Sequence, residues 1–409
     1  MPQRLARSTG FALALAFVAL TSLGCSSGGG GGGSAPEPVV DVVSLLTAAT
    51  VPLALTGETS TEIVALLSLS DGLVLLNDAV SSSVLLLDAF GAMSLYTADS
   101  ELMTLSGQAS VSLGPLDEVI SGTGLGDVYG ADSVSGLLFR LGTDGVPTVH
   151  ATKESILRVT DGTDSRLSLP RFLTNNQIIA QELFGNALLR FGTTPVNPQE
   201  FVSADVLATA AGVAPAAAVV SGWARQVGSN AALFARFLTT NNIVKVQVNG
   251  QLATHMLGSD LELLFPDVDG LHILDFVSDT VSDVLLLIVG ERVSGVARGV
   301  AVALVTVEGA VGVFADAASL LDEAGFGYDL TDIGVLRDGV PFAVDSGRAQ
   351  VLTFNSTGAP VVIGKTESIV RESGAAVPQI SIAALLGDSN DVRGVVVPEA
   401  ETDNLLLVE

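Results

Sequence analysis

Several residues and short stretches of this sequence have types that could do chemistry. Cys25 is the only cysteine of the 409 residues, so no intramolecular disulfide holds the fold. The histidines are His150, His255 and His272. An imidazole is a general base or a metal ligand, but these three lie far apart, with no cysteine or paired acid at ligand spacing, and they predict no zinc site. His150 is expected on the surface of an outer strand. Two acidic loops, "FPDVDG" (residues 265–270) and "GDSNDVRG" (residues 387–394), offer hard oxygens to calcium. Neither has the EF-hand spacing, and Asp and Asn are also the residues with which turns bond their own backbone, which is the reading adopted for both. The Gly-rich "SGTGLGDVYG" from Ser121 opens no helix and is not read as a phosphate cradle; a nucleophile elbow and a P-loop are absent. Trp223 in "SGWARQ", the lone tryptophan, is assigned to packing in preference to an exposed anchor, and the "NST" sequon at Asn355 is read as a turn. The sequence thus predicts no catalytic residue, no cofactor and no metal.

Bulk properties narrow the class. Apolar residues make up 48% and charged residues 15%, with a mean hydropathy of +0.55. After the N-terminus no apolar stretch reaches the roughly 18 residues of a spanning helix. The apolar residues fall instead into short runs broken by Gly, Asp, Ser and Asn, the texture of many short buried strands. With 44 acids against 18 bases the net charge is −26, which repels nucleic acid. The acidity is read as keeping a very apolar chain dispersed, not as a cation store.

Residues 1–24 read as an export signal: Arg4 and Arg7, then the apolar "FALALAFVAL" of residues 11–20. "SLGC", ending at Cys25, resembles the bacterial lipobox, whose cysteine becomes the lipidated first residue of the mature chain. Ser22 stands where that motif has Leu, Val or Ile, and Leu23 sits one place late. The alternative is an ordinary cleaved signal with a chance cysteine. Residues 25–35 then form a Gly/Ser tether that stiffens at its prolines. The resemblance implies lipidation of Cys25, and Ser26 in place of a retention aspartate implies the outer membrane.

The remainder, residues 36–409, repeats. "FAVDSGRAQVLTFNSTGAPVVIGKTESIVRESG" has siblings around Asp78 and Asp132 and weaker copies between. Marking the residue that closes the first clear strand of each copy gives Asp78, Asp132, Glu182, Arg236, Gly290, Asp345 and Glu399, spaced by 50 to 55 residues. A short helical piece follows each outer strand, with an N-cap residue, an apolar pair and a closing Gly. The pairs begin at Leu45, Leu102, Ile156, Val206, Leu263, Leu320 and Ile369. Both landmarks count seven. Three or four short strands per unit predict an all-β, seven-bladed β-propeller with short helices in the blade connections. The chain ends without a last outer strand and starts with a spare one near Val39–Val43, so the N-terminal strand is expected to complete the C-terminal blade. Second and third strands read as apolar on both faces, as sheets packed between neighbours require.

"FAVDSGRAQVLTFNSTGAPVV" resembles the NHL-type propeller repeat: strand, Asp, small turn, strand, Gly turn, strand. The likeness is good there, fair at Asp78 and Asp132, and poor near Arg236 and Gly290. It implies a fold and leaves function open. The expected function is a monomeric, membrane-tethered envelope lipoprotein whose propeller binds or scaffolds a protein, peptide or glycan, without enzymatic activity. Two alternatives stay open: a metal-dependent hydrolase or lactonase, and a purely structural envelope protein.

Overall fold

The computed structural model describes residues 43–119, 126–174, 177–193, 197–226, 231–279, 283–293, 296–321, 327–336, 338–387 and 392–409. The signal segment, Cys25 and the tether lie outside the described residues, as do residues 121–125 of the Gly-rich stretch and residues 388–391 of the second acidic loop.

Apolar runs separated by turn residues become short antiparallel strands. β1 (Val43–Thr47) is followed by the helix α1 (Thr50–Thr56). The next sheet is β2 (Ile63–Ser68), β3 (Val74–Asp78), β4 (Val84–Leu87) and β5 (Met93–Thr97), and α2 (Asp99–Ser106) leads out of it. The pattern recurs as β6 (Asp117–Val119), β7 (Asp127–Ala131), β8 (Leu138–Leu141), β9 (Pro147–Ala151) and α3 (Lys153–Thr160). It continues as β10 (Leu167–Thr174), β11 (Gln177–Glu182), β12 (Leu188–Gly192), β13 (Gln199–Val202) and α4 (Ala204–Ala211). Then come β14 (Val220–Gln226), β15 (Ala232–Phe237), β16 (Ile243–Gln247), β17 (Leu252–Met256) and α5 (Gly258–Leu264). β18 (His272–Asp279), β19 (Val284–Val293), β20 (Val296–Val305) and β21 (Val311–Ala315) follow. β22 (Leu330–Val335), β23 (Pro341–Asp345), β24 (Gln350–Phe354) and β25 (Pro360–Gly364) lead to α6 (Thr366–Ser373). The groups of β18 and β22 share a single ladder pair, Gly299↔Leu330, which joins them into one eight-stranded sheet. The last group has β26 (Ala384–Gly387), β27 (Val392–Glu399) and β28 (Asn404–Val408), and its fourth strand is β1, paired Val43↔Val408 and Leu45↔Leu406.

Each sheet is buried on both faces, which explains the unbroken apolar runs. In β3, Val74 and Leu76 pack with Leu386, Val396 and Leu407 of the last sheet, while Leu75 packs with Val128 and Phe139 of the following one. Alternation along the strand sends successive side chains to opposite neighbours. Comparable clusters join every successive pair of strand groups, the last to the first included.

The repeat acids serve this architecture. Asp78, Asp132, Glu182, Asp345 and Glu399 end or follow the second strand of their groups, and all are buried. Each carboxylate accepts one backbone N–H from the segment at the start of the first strand and others from its own turn. Asp132 takes Ser112 N at 2.8 Å, Val134 N at 3.1 Å and Ser135 N at 3.0 Å. Glu399 takes Gln379 N at 2.8 Å, Glu401 N at 3.0 Å and Thr402 N at 2.8 Å. Burial is stabilising here only because those donors satisfy the charge. The Asp132→Ala chain is expected to lose about 2–3 kcal/mol, since three amides and a hydroxyl lose their acceptor; the denaturant midpoint measures it.

Some expectations shift. The N-terminal strand begins at Val43, so Leu45 is a strand residue; the helix of that connection follows at Thr50, with Pro52 in its first turn, where no amide partner is needed. In the helices it is Leu207 and Leu261 that are fully buried, whereas Val206 is 52% and Leu263 81% exposed. Two-turn helices bury one residue per turn, and an apolar pair does not say which. No α-helix forms over residues 316–321, which make a turn closed by Ser319 N donating to Asp316 Oδ1 at 2.7 Å. Arg236 sits one residue before the acid position, which the buried Phe237 fills opposite Val220.

Candidate functional site

The first strands of the groups gather at one place. β26 touches β2, β6 touches β10, and β10, β14, β18 and β22 touch in succession. Carboxylates on these strands bond the backbone of the next strand along. Asp117 Oδ2 accepts from Phe172 N at 2.6 Å, Asp275 Oδ2 from Ile333 N at 3.1 Å, and Asp332 Oδ2 from Ala383 N at 2.7 Å. Arg236, on the second strand β15, reaches the carbonyls of the neighbouring first strand, its Nη1 donating to Ile273 O at 2.5 Å and Leu274 O at 2.9 Å.

A pocket of about 240 Å³ opens among these strands. Leu66, Leu67 and Leu116 supply apolar wall; Asn77, Asp117, Arg171 and Arg225 supply polar atoms. Arg171 Nη1 reaches only backbone carbonyls, Leu116 O and Pro170 O, both at 3.3 Å. Arg225 Nη1 reaches Glu118 O at 3.5 Å, and its guanidinium lies 5.9 Å from the Phe172 ring. Among the described residues neither guanidinium has a carboxylate within salt-bridge reach. The nearby acids are turned elsewhere: Glu118 accepts from Ser70 N, Ser70 Oγ and Gly126 N, each at 2.8 Å.

A second feature is a carboxyl pair. Asp332 is hydrogen-bonded to Asp275, and burial together with the Asp275 charge holds its carboxyl well above the usual carboxylate range. Two carboxyls so placed share a proton. The folded state therefore binds that proton more tightly than the unfolded chain, and stability falls as pH rises above about 4 until Asp332 ionises. Its slope there is at most about 1.4 kcal/mol per pH unit. Asp332→Asn keeps a donor toward Asp275 and removes the proton. Its unfolding midpoint is expected to exceed that of the parent at pH 8 and to approach it at pH 4; thermal melts across that range measure the difference.

The molecule's relatives in shape can now be compared. Virginiamycin B lyase from Staphylococcus aureus superposes with a TM-score of 0.56 at 12% identity, over 85% of this chain and 96% of that one. YCF48 from Cyanidioschyzon merolae superposes with a TM-score of 0.52 at 11% identity, over 85% and 98%. Puromycin hydrolase gives 0.53 at 14% identity, over 87% of this chain and 54% of that one. The fold is a β-propeller. At such identities the likeness speaks for the fold alone, and these propellers include a lyase, a hydrolase and a protein seen bound to a peptide. No protein-family model matches the chain, and no curated protein matches it in sequence.

The propeller scatters the histidines. His150 lies on the outer strand β9, but it is buried rather than superficial. It packs edge-on to Tyr129 with centroids 5.0 Å apart, and its Nε2 lies 2.7 Å from Gly192 O of the next sheet. Outer strands are covered where sheets stack, which a single-strand reading misses. Burial lowers its pKa and keeps it neutral. His255, on β17, packs tilted against Phe234 with ring centroids 4.7 Å apart, and His272 starts β18. The described residues contain no group of three or more potential metal ligands. Trp223 is buried between two sheets, its Nε1 without a partner. Asn355 Oδ1 accepts from Thr357 N at 2.9 Å and Ala359 N at 3.0 Å, an Asx turn. The sequence reading passed over Arg171, Arg225 and the Asp275–Asp332 pair. The available signal was a charged residue inside a first strand, as in "PRFL", "WARQ", "ILDF" and "LTDI".

Proposed function

We propose that this chain is an exported, lipid-anchored propeller of seven blades that acts as a binding module at the cell envelope, for a protein, peptide or glycan. The blade count is supported by the strand groups, if the eight-stranded sheet, joined through one ladder pair, is counted as two blades. The observation that carries the binding role is the pocket between the first strands. Its one acid, Asp117, bonds backbone amides, while among the described residues neither of its two guanidiniums has a carboxylate within salt-bridge reach. Preorganised walls and a few convergent polar groups are what ligand sites have in common. Anchoring through Cys25 at the outer membrane is tested by mass spectrometry of the mature N-terminus from native membranes. A diacylglyceryl or triacyl modification on Cys25 is expected, and a mature chain that begins elsewhere overturns the anchor. Binding is tested by titrating the wild-type propeller with peptides and oligosaccharides, and a chain that takes none loses the module reading.

The enzymatic alternative rests on two carboxyls of neighbouring first strands, Asp275 and Asp332, where burial and the Asp275 charge hold the Asp332 carboxyl well above the usual carboxylate range, as a general acid requires. Ester or lactone turnover that disappears in Asp275→Asn with the fold intact favours it.

A further inference from the structure

We infer that the pocket of Arg171 and Arg225 takes a monoanionic carboxylate attached to a small aliphatic body; this rests on the binding-module reading and specifies its ligand. Two guanidiniums from neighbouring first strands, β10 and β14, line one pocket of about 240 Å³. Each spends Nη1 on backbone carbonyls at 3.3 to 3.5 Å, long for hydrogen bonds from a cation. Both guanidiniums are half-buried, and among the described residues neither has a carboxylate within salt-bridge reach, while Asp117 beside them accepts from Phe172 N and Glu118 N. An arginine fork fits the planar carboxylate in bidentate fashion.

Size and charge select within the anions. The leucine wall, Leu66, Leu67 and Leu116, asks for an apolar body beside the charge. Asp117 lines the same pocket, and the whole protein carries −26, so a second negative charge on the ligand meets repulsion at short and long range. A monoanion with a branched aliphatic group satisfies both walls, whereas phosphate or sulfate satisfies only the arginines. The chemistry is shared by a peptide's C-terminal residue and by a free aliphatic acid.

Trp223 makes the test readable. It is the only tryptophan, two residues before Arg225 on the regular part of β14 and so on the same face of that strand. The full mature protein is titrated, by tryptophan fluorescence and calorimetry, with 4-methylvalerate, its amide, the peptide Ala-Ala-Leu as acid and as amide, and inorganic phosphate. The acids are expected to bind at least about tenfold more tightly than their amides, the worth of a charged hydrogen bond. Arg225→Gln and Arg171→Gln are each expected to lose that preference, Arg225→Lys to keep part of it, and Arg190→Gln, on the strand β12, to keep all of it. Preference for the peptide acid over 4-methylvalerate assigns the site to chain termini; the reverse assigns it to free acids. Amides that bind as well as acids, or phosphate that binds better, overturn the carboxylate assignment and leave the module standing. Acids that fail to bind while another peptide or oligosaccharide does bind also overturn it. Failure of every ligand is the result that sinks the module reading itself. The acid-to-amide ratio on the wild type decides the matter even if an arginine variant does not fold.

Discussion

Gly358→Ala is expected to be among the most damaging single substitutions in the propeller, at about 3–5 kcal/mol. Gly358 ends the turn between β24 and β25 at φ +78°, and a Cβ there would sit 1.8 Å from Phe314 O, a backbone atom of the preceding group's outer strand. The positive φ costs an alanine about 1 kcal/mol. The collision adds the larger part, because the backbone of two sheets must separate, and overpacking of a tight interface costs about 1–3 kcal/mol or more. The same turn meets the preceding outer strand elsewhere: Gly145 against Tyr96 O, and Gly309 against His255 O. The contact is thus a repeating element of how one sheet stacks on the next. Gly107→Ala is the control. Its φ is +67° but nothing lies within 4 Å, so it should lose only the conformational part, about 1 kcal/mol. Parallel urea titrations measure both; equal losses would show that the close approach to the carbonyl carries no energy.

That contact also shows what the sequence could reveal. Gly358 reads as a turn glycine, and it is one, but its collision partner lies 44 positions away in the preceding group. The acids behave likewise. Asp78, Asp132 and Asp345 read as the residues that close a strand before a polar turn, and each does bond that turn, yet the bond that ties turn to first strand reaches back to Glu62, Ser112 and Asp329. Local chemistry is legible in a residue and its neighbours; the register that brings a distant amide to it is set by how strands pair. The strand content was legible because sheets packed on both faces need continuous apolar runs. The helices were placed less well, since burial there is decided by which side of a two-turn segment meets the sheet. Arg171 and Arg225 were the least legible. They interrupt first strands that carry shifts of register, between Ser168 and Arg171 and between Val220 and Gly222, and nothing within either strand shows that its arginine shares a pocket with the other.

Removing β1 should have the largest effect of all. A chain that begins at Thr50 is expected to lose its cooperative fold, while one that begins at Pro36 keeps it. β1 completes the last sheet by pairing with β28 from Val43↔Val408 to Thr47↔Leu405. Val43 is buried among Phe342, Val344, Val395, Leu406 and Val408. Two further bonds stitch the ends: Thr47 Oγ1 donates to Gly91 O at 2.8 Å, and Ala49 N donates to Asn404 Oδ1 at 2.9 Å. Without the strand, β28 becomes an open edge whose sequence, "NLLLV", is almost wholly buried in the intact protein. Val43 contributes about 1.5–3 kcal/mol through burial, the half-buried Leu46 less, and the ladder and the two stitches add to that. The sum approaches the 5–15 kcal/mol that holds a typical domain together. An apolar edge strand is also a template for association, so the truncated chain should aggregate as well as unfold. Light scattering and thermal melts of the two chains test this. Because the lost element is a strand that docks on an existing edge, a peptide of residues 36–49 added in trans should bind and raise the melting temperature with peptide concentration. A truncated chain that melts cooperatively at the parental temperature without the peptide would mean that the ring is held by its inter-sheet clusters alone.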